Sequence, residues 1–251
     1  MPAYALGSSR HQRIGLVCGF FRLSTSAAKD SHALATRQGK AKLACWEMGL
    51  TLYGKRVTLR PLRESDFAAW HEVRKRNGAW LTRWEPRPPE SFGDPIGKRM
   101  FISRCVARDA EARIGGGFAF GIFLGETFVG EANLSNIQRG PLQGATIGYW
   151  VDEAYAGQGL VPESVAAIFR FAFEELRLHR IQISIVPRNA PSLRVVAKLQ
   201  LRQEGLAERY IEINGTWEDH ALFAITAEEW QVKRSFYMES FLGEGRLDHT
   251  N

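Results

Sequence analysis

Along the 251-residue chain, apolar side chains recur with two different periods, and the switching between them marks out the elements. Residues 57–62 (Val-Thr-Leu-Arg-Pro-Leu) alternate apolar and polar positions and predict a first strand. Ser65 is then placed to cap a helix. Phe67, Trp70, His71, Val73 and Arg74 follow its register as far as Asn77-Gly78, a helix stop. Residues 77–97 hold Trp80, Trp84, Glu85 and most of a run of prolines and glycines, and predict a long irregular connection of the kind that carries site residues. Residues 118–124, a Gly125-Glu126 turn and residues 127–137 predict a hairpin, with a further strand at 145–151. Residues 162–178 give the clearest helical pattern. Val165, Ile168, Phe169, Ala172, Phe173 and Leu176 step by threes and fours, and Glu163, Arg170, Glu174 and Arg177 fall on the opposite, polar face. A strand at 181–186, a short helix at 191–199 opened by Pro191, and strands at 210–213 and 221–225 joined through Asn214-Gly215 follow. Thr226 and Glu229 make a capping box for a last helix. Strands and helices intermix without an internal repeat, so the expected fold class is α/β (α+β) with one central sheet.

The first fifty residues break this pattern, being rich in Ser, Ala, Gly and Arg and without a sustained period. Arg10 and Arg13 ahead of the apolar residues 14–21, with small residues at 24–27, imitate a signal peptide, although Arg22 cuts the apolar run short. A transit peptide is a second reading. The preferred one is a disordered or non-native leader, with Met48 as a possible true start. The expected organisation is thus a leader over 1–50, a folded domain over 51–230 and a C-terminal helix and tail over 231–251. The leader carries +5 of the chain's formal +6, so the folded part gives little ground for nucleic-acid binding. No apolar run reaches the roughly 20 residues that span a bilayer. Three cysteines without a C-x-x-C pair write neither a disulfide framework nor a Cys-rich zinc site, and no metal constellation is visible. A reducing, cytoplasmic setting fits best.

The segment 149–162, Tyr-Trp-Val-Asp-Glu-Ala-Tyr-Ala-Gly-Gln-Gly-Leu-Val-Pro, passes from a strand through a glycine loop into the amphipathic helix. The first N–H groups of a helix lack internal partners and carry the positive end of its dipole. Gly157 and Gly159 let the backbone approach an oxygen closely, so the loop can hold a diphosphate. Pro162 has no N–H, and the donors fall to residues 157–161. The loop is neither a dinucleotide fingerprint nor a P-loop, and a plain tight turn is an equal reading of Gly-x-Gly alone.

Its context adds Leu178-His179-Arg180, a strand, then Asn189-x-x-Ser192. With these the chain resembles the GNAT acetyltransferase superfamily and, within it, the RimJ/RimL group. The resemblance covers residues 51–230 and also rests on Asn77…Trp80-Leu81…Trp84-Glu85-Pro86, Val129-Gly130, Gly148-Tyr149-Trp150 and Tyr210…Gly215-x-Trp217-x-Asp219-His220. It implies a GNAT fold with a central mixed, twisted sheet of about seven strands, and acetyl-CoA as co-substrate without a metal. Cofactor contacts are implied at Trp150, Val151, Ala156, Gly157, Gln158, Gly159, Leu160, Val161, Asn189, Ser192 and Lys198. The backbone N–H of Val151 would meet the thioester carbonyl as an oxyanion donor, and Ser192 would serve the sulfur. Two positions depart from the superfamily loop: Ala156 stands for Arg/Gln, removing a side chain that can brace the loop, and Val161 for Gly/Ala. Asn189 ahead of Pro191 is equally a helix start.

The implied acceptor is a protein N-terminal α-amine, on the pattern of a ribosomal protein that begins with alanine, with no direct nucleic-acid or membrane partner. Near pH 7.5 an α-amine is already substantially neutral, whereas a lysine of pKa about 10.4 is only about 0.1% neutral, so a weak base or a water relay suffices. The superfamily's acid tyrosine is here Val196. Glu131, Glu212, Asp219 and His220 are candidate bases. Glu131, taken into the catalytic set with Ser192 and Val151, is also readable as a solvated strand-edge carboxylate, and Asp219-His220 as a structural pair. Trp80, Trp84 and Glu85, with Asp219 and His220, are candidates for holding the acceptor's ammonium terminus, the tryptophans being equally readable as core. His71 and His179 are assigned to packing or capping. The chain is expected to act as a monomer or homodimer. A small-molecule or antibiotic amine acetyltransferase and a non-catalytic CoA-binding module are the alternatives.

Overall fold

In the computed structural model residues 49–87 and 93–243 are described, all within one compact unit. The readings of residues 1–48, including Cys18, Cys45 and Met48, and of the tail beyond 243 lie outside the described residues. Eight strands form one sheet in the order β1-β2-β3-β4-β5-β6-β8-β7. They are β1 (Leu52–Tyr53), β2 (Val57–Arg60), β3 (Phe118–Leu124), β4 (Thr127–Gln138), β5 (Gly144–Val151), β6 (Arg180–Ile185), β7 (Arg202–Ile213) and β8 (Thr216–Thr226). The strand beyond the expected seven is β1, whose two residues are too few to show a period. Among the described residues six α-helices accompany the sheet: α1 (Phe67–Arg76), α2 (Gly78–Thr82), α3 (Lys98–Arg113), α4 (Leu160–Arg170), α5 (Ala190–Lys198) and α6 (Ala227–Tyr237).

Every neighbouring pair is antiparallel except β5 and β6, which α4 joins as a parallel crossover. That pairing has three rungs, from Gly144–Arg180 to Thr146–Gln182, and then the strands part. At the same level the β4–β5 ladder shifts register between Ser135 and Gln138, where Asn136 takes a φ of 54°. A bulge of this kind bends its strand, here beside the point of divergence. The sheet is thus two antiparallel halves welded at one end and open at the other.

The main core lies between one sheet face and helices α4 and α6, and a smaller cluster of Trp70, Val73, Phe101, Phe123 and Phe128 fills the other face under α1 and α3. Helix α4 corrects the amphipathic expectation, because Glu163 and Arg170 are 2% and 4% exposed. These two face protein, whereas Glu174 is half-buried and Arg177 exposed. Glu163 accepts from the N–H of Val57 at 2.9 Å and pairs with the Arg56 guanidinium at 2.8 Å. The helix gives way to a π turn over Phe171–Glu175, and Phe173 stacks on Trp230 of α6 at 5.7 Å. The core runs on through Tyr237 to Leu242.

Three further local expectations change. Ser65 lies within a short 3-10 turn rather than capping α1, and the Asp66 carboxylate accepts from the Arg63 N–H at 2.7 Å. Asn77 ends α1, but Gly78 opens the extra turn α2. Helix α3 was not expected at all, since only Phe101 and Ala112 of its sixteen residues are buried, which leaves no apolar stripe to read. The capping box at Thr226 and Glu229 and the Asn214-Gly215 turn are as expected.

Candidate active site

The open end of the sheet is built by what precedes and follows β5. Asp152 N–H donates across the ladder to Val129 O at 2.8 Å. Because N–H groups alternate sides along a strand, those of Tyr149 and Val151 face the other way, toward the gap left by β6. Gly130, opposite Val151, admits this approach: a Cβ there would stand 2.3 Å from Trp150 O.

Beyond β5 the chain is anchored before it loops. Asp152, 1% exposed, accepts from Asn77 Nδ2 at 2.8 Å and from Ala154 N–H at 3.3 Å, and pairs with Arg76. Burial alone raises its pKa, but these donors outweigh it and hold the carboxyl below the ordinary range. Asn77 Oδ1 in turn accepts from Glu153 N–H at 2.9 Å, so the end of α1 and the start of the loop form one knot. Gly157 and Gly159 then take left-handed conformations, φ 79° and 83°, and Gly159 turns the chain into α4 without a side-chain cap. The N–H groups of Leu160 and Val161 stand in the first turn, where the helix supplies no acceptor.

A cavity of about 560 Å³ begins at this loop and follows the gap. Ala156, Gly157, Gly159, Leu160 and Val161 line its mouth; Gln158 lies outside the lining and faces solvent, its side chain bonded to Ala154 O at 3.1 Å. Trp150 and Val151 form its floor, and Asn189, Ser192 and Lys198 stand along its α5 wall. Asn189 does cap α5, its Oδ1 accepting from Ser192 N–H at 3.2 Å, and still lines the cavity. Val196 is buried, but Tyr149 contributes a phenol, which donates to Ser192 O at 3.5 Å and whose pKa burial pushes well up.

The far end of the same cavity is walled by Trp80, Trp84, Glu85, Glu131 and Asn133. The tryptophans are half-buried wall rather than core, and Trp84 has the guanidinium of Arg188 4.8 Å above its ring. Glu85 is held bidentately by Arg74 at 2.6 and 2.7 Å, so its charge is already matched. Glu131 corrects the solvated reading: it is 5% exposed, and its Oε1 accepts from Trp70 Nε1 at 2.7 Å and Arg104 at 2.9 Å. Asn133 Oδ1 is buried without a hydrogen-bond partner.

Asp219 and His220 are not brought to this cavity and do not pair with one another. Asp219 accepts from Arg209 N–H at 2.8 Å within the β7–β8 ribbon, and His220, 3% exposed, bonds Glu218 O at 3.0 Å. His71 bonds Ile96 O at 2.9 Å and His179 pairs with Glu228 at 3.1 Å. Cys105 is half-buried with its thiol pushed up to about 11, so it holds its proton at neutral pH. Among the described residues no group of three or more His, Cys, Asp or Glu side chains is placed to hold a metal, and no helix is long and apolar enough to cross a membrane. Asp152, Asn133 and Arg56 carry the site's geometry without having been singled out in the sequence, and Asn77, read there as a helix stop and part of a motif, joins them.

A mixed sheet split between its two parallel neighbours, with a glycine loop and a helix N-terminus at the mouth of the split, defines an acyl-transfer fold. The family profile described as acetyltransferase (GNAT) domain matches residues 56–202. The chain belongs to the GNAT family and is an N-acetyltransferase. It is 35% identical over 179 residues to the "Probable N-acetyltransferase YjcK" of Bacillus subtilis, covering 69% of this chain and 96% of that one. It is 30% identical over 181 residues to the [ribosomal protein uS5]-alanine N-acetyltransferase of Escherichia coli, covering 71% and 92%. Among solved structures, Mycobacterium smegmatis RimJ in complex with CoA-disulfide superposes with a TM-score of 0.70 at 36% identity, over 76% of this chain and 93% of that one.

Proposed function

We propose that the protein transfers acetyl from acetyl-CoA to the N-terminal α-amine of a protein, with a ribosomal protein beginning with alanine as the acceptor. The observation that carries the reading is that one continuous cavity is lined both by the glycine loop and by Trp80, Trp84, Glu131 and Asn133. The likeness to the uS5-alanine enzyme supports the acceptor class.

The residues present fit CoA. Two left-handed glycines and the first-turn N–H groups suit a diphosphate, Lys198 adds a cation, and the parted strands leave unpaired N–H groups for a chain bearing amides. The thioester supplies the acyl group. The chain's own part begins with Val151, whose N–H faces the gap and is oriented to polarise a carbonyl there. Tyr149 and Ser192 stand together on the α5 side; burial keeps the phenol neutral and bonded to Ser192 O, and the Ser192 hydroxyl is the group that donates to the departing sulfur, which leaves as a thiolate and takes its proton from solvent. Across β5, Asn133 Oδ1 offers an acceptor for an arriving N–H. Glu131 Oε1 is taken by Trp70 and Arg104, and the carboxylate's second oxygen is the base that receives the amine's proton.

Mass spectrometry after incubation with acetyl-CoA and two peptides tests the reading. One peptide has a free N-terminal alanine and no lysine; the other is blocked at its terminus and has an internal lysine. A gain of one acetyl group on the first alone is expected. Acetylation of the lysine peptide alone, or of neither while a small amine is modified, overturns it.

A further inference from the structure

At position 156, where superfamily members carry a side chain able to brace the phosphate loop, this chain has alanine. We propose that Arg56, which lies 102 residues before Gln158, takes over that task and is the positioning residue of the loop. The proposal rests on the reading of this loop as the CoA diphosphate site.

Arg56 sits in the turn between β1 and β2, where its own N–H and that of Val57 both reach the Glu163 carboxylate in the first turn of α4. Its guanidinium reaches the same carboxylate through Nε at 2.9 Å and Nη2 at 2.8 Å. With the Nε–Nη2 edge of the planar fork held on Glu163, Nη1 is turned to the loop and donates to Gln158 O at 3.1 Å. Gln158 lies between the two left-handed glycines. The guanidinium lies against the loop: Nη2 stands 3.4 Å from where a Cβ on Gly159 would be.

The consequence follows from the planarity of the peptide unit. In a trans peptide C=O and N–H point in opposite directions, so holding Gln158 O toward Arg56 aims the Gly159 N–H away from it. Gly159 lines the cavity, and its N–H is one of the donors offered to an anion. Glu163 neutralises the guanidinium, so the contribution is one of direction rather than of net charge. A lysine, with a single ammonium, cannot hold Glu163 and Gln158 O in the same geometry.

The test compares Arg56→Gln and Arg56→Lys with the wild type in calorimetric titration by CoA and in turnover of S-acetylpantetheine, which lacks the diphosphate. Loss of one charge-assisted hydrogen bond that orients the loop is expected to raise the CoA Kd about tenfold. The kcat/KM for S-acetylpantetheine stays unchanged, and adding Ala156→Arg to either variant recovers CoA affinity. Equal losses with both ligands, no loss with CoA, or no recovery by Ala156→Arg overturn the proposal. Arg56→Lys keeps a cation beside buried Glu163 and decides the matter if Arg56→Gln does not fold; if neither folds, Arg56 supports the fold and the proposal fails. A wild type that binds no CoA sinks instead the reading of the site itself.

Discussion

Glu131 shows how much a residue's chemistry depends on neighbours that are remote in sequence. Its two hydrogen-bond donors, Trp70 and Arg104, lie 61 and 27 residues away, and nothing near position 131 announces either. Spacing could nominate the carboxylate but not its burial, which is why the solvated reading failed. The same distance hid Arg56, whose partner Glu163 is 107 residues on. By contrast, Gly157 and Gly159 were legible because a left-handed turn before a helix is a local requirement that glycine meets at least cost. Glu131→Gln keeps an acceptor for Trp70 Nε1 but cannot take a proton. In steady-state assays its kcat is expected to fall about 100-fold, with the KM for acetyl-CoA within about twofold. A kcat within about threefold of wild type would remove Glu131 from the base role.

Helices α3 and α4 failed to read correctly for opposite reasons. Helix α3 touches the smaller apolar cluster through Phe101 and the main core through Ala112 alone, so its sequence has the composition of an exposed segment. Helix α4 is enclosed on every side, so a polar stripe that normally marks solvent marks internal ion pairing. Helix α6 helps to close it in through Tyr237, 5.8 Å from Phe169, and covers the π turn that follows with Trp230, fully buried between Phe173 at 5.7 Å and Tyr237 at 5.3 Å. The strands were easier, because alternation is imposed by the pleat, and only the two-residue β1 and the outer parts of the β7–β8 ribbon escaped. Trp230→Ala is expected to cost about 3–5 kcal/mol, read as a lowered urea midpoint at unchanged slope. A change below about 1 kcal/mol would mean that α6 does not seal the core.

For the molecule as a whole, the buried knot at Asp152 and the Arg60–Asp66 pair set an acid limit. Both carboxyls titrate lower in the folded chain than in the unfolded one, where an aspartate titrates at about 3.9. Against the cost of burial, hydrogen bonds from Arg76 and Asn77 lower Asp152, and those from Arg60 and Arg63 lower Asp66. Their stabilisation is therefore complete above about pH 4 and is lost as pH falls through the lower folded values. In chemical denaturation followed from pH 7 to pH 2, Asp152→Asn is expected to be less stable at pH 7 and to show a shallower acid slope. An unchanged slope would show that Asp152 is not a source of the acid limit.

The three-rung weld between β5 and β6 has one more consequence. An ordinary open sheet has two margins at which backbone groups lack a neighbour, and those margins invite pairing with other molecules. This sheet has four, because the seam adds the last residues of β5 and of β6 as inner margins. Helices α4 and α5 stand at the mouth of that seam, so the added margins are kept indoors, screened from foreign strands. A slender guest entering between the helices can still use them.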